Sequence, residues 1–208
     1  MTRRTDSVAW NGWPLVGYSA LVVLLLTAAI LGVRGVGELG WRSVIRATAQ
    51  TSLLLFLSAF TAAALARRHP SATTRWLLRN RRYLGVSFAV SHTVHLLAII
   101  ALARAAGPAF RADPFTVVFG GLAYVFIIAM TATSFDRTAA WLGPRRWQRL
   151  HTSGVYYIWF IFALQYGVLA TRSPVYLPLA AAVFGALALR VRARWSAPAA
   201  VDSSAAVQ

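Results

Sequence analysis

Three of the four histidines in this 208-residue chain stand inside apolar stretches, and each stretch follows a cluster of arginines. Arg79-Asn80-Arg81-Arg82-Tyr83-Leu84-Gly85 leads to His92 and His95, and Pro144-Arg145-Arg146-Trp147-Gln148-Arg149-Leu150 leads to His151. An ionisable side chain in hydrocarbon is costly and is therefore usually tied to function. Neutral imidazole on facing helices is a standard way to hold a haem iron. The first chemistry these residues offer is electron transfer within a membrane.

The four imidazoles differ in setting. His69 lies beside Arg67, Arg68 and Pro70 in a polar loop, where solvation explains it. His92 and His95, at i and i+3, project to one side of a single helix, so either can reach the centre of a bundle. Their competing role is polar glue between helices, shared with Ser87 and Ser91. His151 falls near the start of its apolar stretch, where hydration is an alternative, and Gly154 one turn on opens space beside it for a flat macrocycle or for plain helix packing.

Helices long enough to cross a bilayer must position these groups. The chain is 58% hydrophobic and 12% charged, with a mean hydropathy of +0.59, whereas a soluble domain carries about 25% charged residues. Apolar runs of about 20 residues, the length that spans a hydrocarbon core about 30 Å thick, recur along the sequence. Six are expected: Trp13 to Val33, Val44 to Ala66, Leu84 to Ala106, Phe115 to Thr133, Leu150 to Ala170 and Val175 to Leu189. The sixth, short and alanine-rich, carries the weakest signal. The expected fold is an all-α, polytopic six-helix membrane bundle over residues 13–195, with a cytoplasmic N-terminal segment at 1–12 and a disordered tail at 196–208.

Arginine placement sets the expected orientation, because short cytoplasmic loops retain positive charge. Arg67, Arg68, Arg75, Arg79, Arg81 and Arg82 fall between spans two and three. Arg137, Arg145, Arg146 and Arg149 fall between four and five, and Arg190, Arg192 and Arg194 at the C-terminal end. With Arg3 and Arg4 at the start, the pattern predicts both termini in the cytoplasm and a home in the bacterial inner membrane.

Several functions lose support. The net charge of +16 sits in membrane-flanking loops, which favours topology and attraction to anionic lipid over nucleic acid. With no lysine, a Schiff-base retinal protein is excluded. With no cysteine, disulfide relays, iron–sulfur clusters and covalent c-type haem are excluded as well. The first apolar stretch is too long for a secretion signal and reads as an uncleaved span. The glycines from Gly32 to Gly40 follow a membrane helix rather than a strand and make no dinucleotide site. Asp6, Glu38, Asp113, Asp136 and Asp202 form no relay for coupled proton transport.

The stretch Arg81-Arg82-x-Leu84-Gly85 followed by His95, then Thr133-Ser134, Leu142-Gly143, and Trp147-x-x-Leu150-His151 with Tyr156 or Tyr157, resembles the ferric reductase-like transmembrane domain family. Within that family it is most similar to the branch that serves periplasmic methionine sulfoxide reduction. The resemblance covers roughly residues 40–190. It implies a six-helix membrane cytochrome b, with haem b held by histidines of the third and fifth spans. His95 and His151 become the axial-ligand candidates, with His92 an additional imidazole the motif does not require. The family's motif continues with a second histidine further along the fifth span, where this chain has Leu164 and Gln165. Three intramembrane histidines do not complete a two-haem ladder, so one haem is the expected count, or two with one incompletely ligated.

Depth bears on the pairing. At 1.5 Å per residue, His95 lies about 20 Å beyond Arg82, His92 about 15 Å, and His151 about 8 Å beyond Arg146. This arithmetic pairs His92 with His151, while the motif favours His95, and both are retained with His95 first. Bis-imidazole iron is six-coordinate and suits one-electron transfer. The chain is then expected to be an electron-transfer subunit of an oxidoreductase, fed by a flavoprotein reductase or quinol and serving an external acceptor, such as a periplasmic oxidoreductase. The loop arginines either hold a flavin phosphate (FMN or FAD) or an acidic reductase surface, or are topology signals alone. Two other classes stand beside this reading: a cofactor-free membrane assembly or transport component with structural histidines, and a metal permease using His92 and His95 as a ligand pair.

Overall fold

The computed structural model describes residues 10–195, and the expectations for the 196–208 tail and for most of the N-terminal segment lie outside them. The helices in chain order are α1 (Trp13–Arg34), α2 (Glu38–Arg68), α3 (Ala72–Arg79), α4 (Arg81–Ala106), α5 (Pro114–Ala132), α6 (Asp136–Leu142), α7 (Pro144–Arg172) and α8 (Leu177–Trp195). Six of the eight are long and apolar enough to cross a membrane. In hydrocarbon every backbone polar group needs an internal partner, and a helix supplies it within the segment. The protein is an all-α, multi-pass membrane bundle, as the apolar runs predict.

The helices outrun the apolar runs that mark them. α7 begins at Pro144 rather than Leu150, because proline is tolerated at the first helical position, where its missing N–H costs no helical hydrogen bond. Gly143, at φ 77°, makes the turn from α6 that lets it start there. α8 continues past Leu189 through Arg190, Arg192 and Arg194, so the sixth span is longer than its hydropathy suggests.

The two short helices occupy stretches that read as loops. α3 is nucleated by Ser71, whose Oγ accepts the Thr74 amide at 3.1 Å while Thr74 Oγ1 accepts the Ser71 amide at 2.9 Å. His69 closes α2: its amide donates to the Leu65 carbonyl at 2.8 Å, and its side chain is exposed. α5 is capped by Asp113, which accepts the Thr116 amide at 2.8 Å. That bond, with a second from the Thr116 hydroxyl, holds the Asp113 carboxyl below its ordinary range.

The core is an aromatic column. Phe56 packs on Phe60, Phe88 and Phe162 at ring distances of 5.3, 5.5 and 5.4 Å, joining α2, α4 and α7. Tyr166 and Val183 extend it toward α8. α2 and α4 form the most extensive pairing, and their seam is fixed by a buried hydrogen bond from Ser52 to Ser91 of 2.9 Å. α1 lies on the rim. It buries only Leu15 and Val23 and turns Leu21, Val22, Leu24 and Leu25 outward, as a lipid-facing helix does.

Beside the packing of α1 on α4 and α2, a buried side chain anchors the segment just before it. Asn80, 2% exposed, accepts the Gly12 amide at 2.9 Å and donates to Asn11 Oδ1 at 3.0 Å. It stands between the arginines of the Arg79-to-Arg82 cluster. Arg82 of the same cluster adds an ion pair to Asp136 at 2.7 Å and lies 5.9 Å from the Trp13 ring of α1.

Candidate functional site

His95 is the most fully oriented imidazole. Its Nδ1 lies 3.1 Å from the Ile45 carbonyl and 3.1 Å from Thr48 Oγ1, both on α2. A carbonyl can only accept, so Nδ1 carries the hydrogen. The Thr48 hydroxyl donates its own hydrogen to the Val44 carbonyl at 2.7 Å and is therefore an acceptor toward His95. Nε2 is left with its lone pair. A metal-binding histidine is commonly fixed this way, by giving its other N–H to a carbonyl.

His92 sits one turn back, its ring stacked on that of His95 at 5.0 Å. Phe88, Tyr124 and Phe162 surround it at 5.2, 5.1 and 6.2 Å. Its Nδ1 is buried without a hydrogen-bond partner, an arrangement that leaves a polar atom uncompensated in an aromatic cage. The Tyr124 hydroxyl donates to the His92 carbonyl at 3.0 Å, which ties α5 to α4 at this level. Of the two serines expected to act as glue, Ser91 does so, whereas Ser87 Oγ is buried with no partner.

His151 belongs to a different level. Its Nε2 lies 3.1 Å from Thr133 Oγ1 at the end of α5, and its ring stacks on Trp147 at 4.1 Å. The Thr133 hydroxyl donates to the Ala129 carbonyl at 2.8 Å, so Nε2 is the donor to Thr133 and Nδ1 holds the lone pair. The Trp147 indole donates to the Thr133 carbonyl at 2.9 Å, and one residue of α5 thus fixes two of α7. Thr133 was visible in the sequence as part of the motif, but without a role.

Helical register separates the two levels. On α5, Tyr124 beside His92 and Thr133 beside His151 are about 13 Å apart along the axis. On α7, Phe162 beside His92 lies about 16 Å from His151. Two imidazole nitrogens on one metal stand only about 4 Å apart, twice a metal–nitrogen bond. The depth pairing of His92 with His151 is therefore corrected, and His95, a turn further on, is no closer in level. The reason is a shift of α7. His151 stands two turns into α7 beside Thr133, which closes α5, and Arg82 at the start of α4 pairs with Asp136 just beyond it, so the first turns of α7 lie beyond the start of α4.

By register these imidazoles would serve a haem as separate single ligands rather than as a clasping pair. At the level of His95, α7 presents Phe162 and Tyr166 to the core, and Gln165 faces outward. The space Gly154 opens is taken by Met130 and Phe126, whose atoms a Cβ there would meet at 2.7 and 3.1 Å. Among the described residues no three of His, Cys, Asp and Glu gather as a metal-ion site. Beside His151, the outer face of α7 bears an open depression of about 340 Å³ lined by Arg145, Gln148, Arg149, Thr152 and Ser153.

Fold and site together define a multi-pass helical membrane protein with an imidazole-bearing interior. The chain is similar, at 38% identity over 81 residues, to the protein-methionine-sulfoxide reductase heme-binding subunit MsrQ of Ralstonia nicotianae. That match covers 36% of this chain and 37% of the relative's length. No family profile matches the chain, and no solved structure matches it.

Proposed function

We propose that this protein is a membrane b-type cytochrome subunit that carries single electrons between the two faces of a bacterial inner membrane. His95 would be the leading residue to hold the haem iron. His151 offers an imidazole at a second level, and His92 lines the space between α4, α5 and α7. The reading is carried by one observation: the Nδ1–H of His95 is spent on Ile45 and Thr48, which leaves Nε2 basic and its ring held. It is supported by the partial similarity to a subunit whose name states haem binding.

Haem supplies a ferric–ferrous couple when bound. The chain's part is to hold the His95 imidazole at fixed depth through Ile45 and Thr48, and to line the neighbouring His92 with Phe88, Tyr124 and Phe162. Register favours two levels with one imidazole each over a single haem clasped by His95 and His151. Both termini are assigned to the cytoplasm on the arginine pattern. The donor, a flavoprotein reductase or quinol, is placed at that arginine-rich end, where the Arg145 to Ser153 depression also lies. FMN or FAD is a further candidate there. A periplasmic oxidoreductase is the proposed acceptor.

The test is a reduced-minus-oxidised visible spectrum with pyridine-haemochrome quantification on detergent-purified protein. A b-type haem spectrum, one component of which is lost in His95→Ala and none in His69→Ala, supports the reading, and His151→Ala is expected to remove the other component. Equal haem in all three variants removes the site assignment. A stably folded, haem-free protein favours the alternative, for which the bonds of His95 to Thr48 and of His151 to Thr133 are the specific support: structural imidazoles in a cofactor-free assembly or transport component.

A further inference from the structure

The first three turns of α7 carry a polar face that no other helix covers. Arg145, Gln148, Arg149, Thr152 and Ser153 together line the open depression of about 340 Å³ on that side, and all five side chains are exposed. Their spacing of i, i+3, i+4, i+7 and i+8 keeps them on one side of the helix. Gly154 turns the other way, toward Met130 and Phe126 of α5.

Among the described residues, none of these five side chains has a hydrogen-bond or ion-pair partner. Thr93 and Thr133 return their hydroxyls to the carbonyl four residues back, at 2.9 and 2.8 Å, whereas Thr152 and Ser153 keep theirs available to a ligand. The described carboxylates are engaged elsewhere: Glu38 with Arg42 at 2.6 Å, Asp136 with Arg82 at 2.7 Å, and Asp113 as the cap of α5. Two guanidinium groups one turn apart, followed by two hydroxyls, suit the oxygens of a phosphate ester.

Further along, the same side of α7 changes character. The row at four-residue spacing from Gln148 runs through Thr152 and Tyr156 to Phe160, Leu164 and Val168, and the last three are exposed apolar side chains. Phe160 lies about 17 Å beyond Arg149, well inside the span. One helix side thus presents cations, then hydroxyls, then an interfacial tyrosine, then hydrocarbon, which is the order of a phospholipid from headgroup through glycerol to acyl chain. A free phosphate would use only the first half of it.

We infer that this side of α7 binds one anionic phospholipid, with Arg145 and Arg149 on the headgroup phosphate, Thr152 and Ser153 at the glycerol, and Phe160, Leu164 and Val168 along an acyl chain. The bound lipid fixes the depth at which α7 enters the bilayer and, with it, the level of His151. This goes beyond the electron-transfer reading and holds whether or not haem is bound.

The experiment is native mass spectrometry of the full chain in detergent, with thermal unfolding as a second readout, after addition of phosphatidylglycerol, phosphatidylcholine, inorganic phosphate or FMN. One phosphatidylglycerol is expected to stay bound and to raise the unfolding temperature where the other three do not, and a short-chain phosphatidylglycerol is expected to be held more weakly. Arg145→Gln with Arg149→Gln is expected to lower phosphatidylglycerol retention about thirtyfold, roughly fivefold for each charge. Thr152→Val with Ser153→Ala, which leaves the charges in place, is expected to lower it about fivefold. All four side chains are exposed, so both variants are expected to fold, and Arg104→Gln with Arg111→Gln at the opposite end retains wild-type binding. Equal retention of phosphatidylglycerol and phosphatidylcholine, unchanged phosphatidylglycerol binding in the Arg145 and Arg149 variant, or equal stabilisation by inorganic phosphate or FMN overturns the inference.

Discussion

His95 and Thr48 face each other across the α2–α4 seam with 3.1 Å between Nδ1 and Oγ1, and the threonine's own hydrogen is turned back to the Val44 carbonyl. The pair fixes which imidazole nitrogen is left for a ligand. Thr48 is 1% exposed, so its geometry is set by packing rather than by solvent.

Thr48→Val keeps the shape and removes the acceptor. Partners in this position typically contribute 10–100-fold to metal affinity, and the Ile45 carbonyl remains, so haem retention is expected to fall about tenfold, at the lower end of that range. Titration of the purified apoprotein with haemin measures it, and wild-type affinity in the variant would show that Thr48 does not orient the ring.

Gly154 marks where α5 and α7 approach. A Cβ there meets Met130 Sδ at 2.7 Å and Phe126 Cδ1 at 3.1 Å, so Gly154→Val is expected to cost about 1–3 kcal/mol through overpacking. Met130→Ala in the same chain should recover much of the loss, because the nearer obstacle is the far end of a flexible side chain. Unfolding curves of the single and double variants decide it, and an unaffected single variant would mean that the helices separate freely.

Ser91→Ala breaks the buried bond from Ser52. Interhelical hydrogen bonds in membrane bundles average about 0.6 kcal/mol, and a loss of that order is expected. Ser91→Val should destabilise more, since it adds volume to a fully buried seam. If valine were the milder of the two, the seam would be held by packing alone.

Asp113 gives a pH dependence. Its folded carboxyl is held below the ordinary range by the amide and hydroxyl of Thr116, so the cap contributes stability above the unfolded carboxylate value of about 3.9 and loses it as pH falls through the lower folded value. Amide exchange at the first turn of α5 should accelerate in that acid window. Asp113→Asn, which still accepts but does not titrate, should show no such step, and a step in the variant would place the dependence elsewhere.

What was legible in the sequence was whatever one segment decides alone. The six spans follow from apolar length, and the histidines follow from their being ionisable inside those spans. The loops were harder. α3 and α6 lie outside hydrocarbon, where a Ser71–Thr74 cap with no acidic third residue gives little signal. The level of His151 is not legible because depth is counted from the nearest arginine, whereas the first two turns of α7 stand beyond the start of α4. Thr48, Thr133 and Tyr124 were missed as partners for the same reason: each matters through register against another helix, and no local pattern encodes register.

The attachment of α1 through Asn80 orders events in time. Asn11 and Asn80 are 69 positions apart, so at 5–20 residues per second the ribosome needs about 3–14 seconds to synthesise the latch after the helix it secures has begun. During that interval the first span can pack on α2 but lacks α4, its more extensive partner. A nascent chain halted before residue 80 should therefore leave α1 open to cross-linking with neighbouring membrane proteins, and one halted after α4 should not.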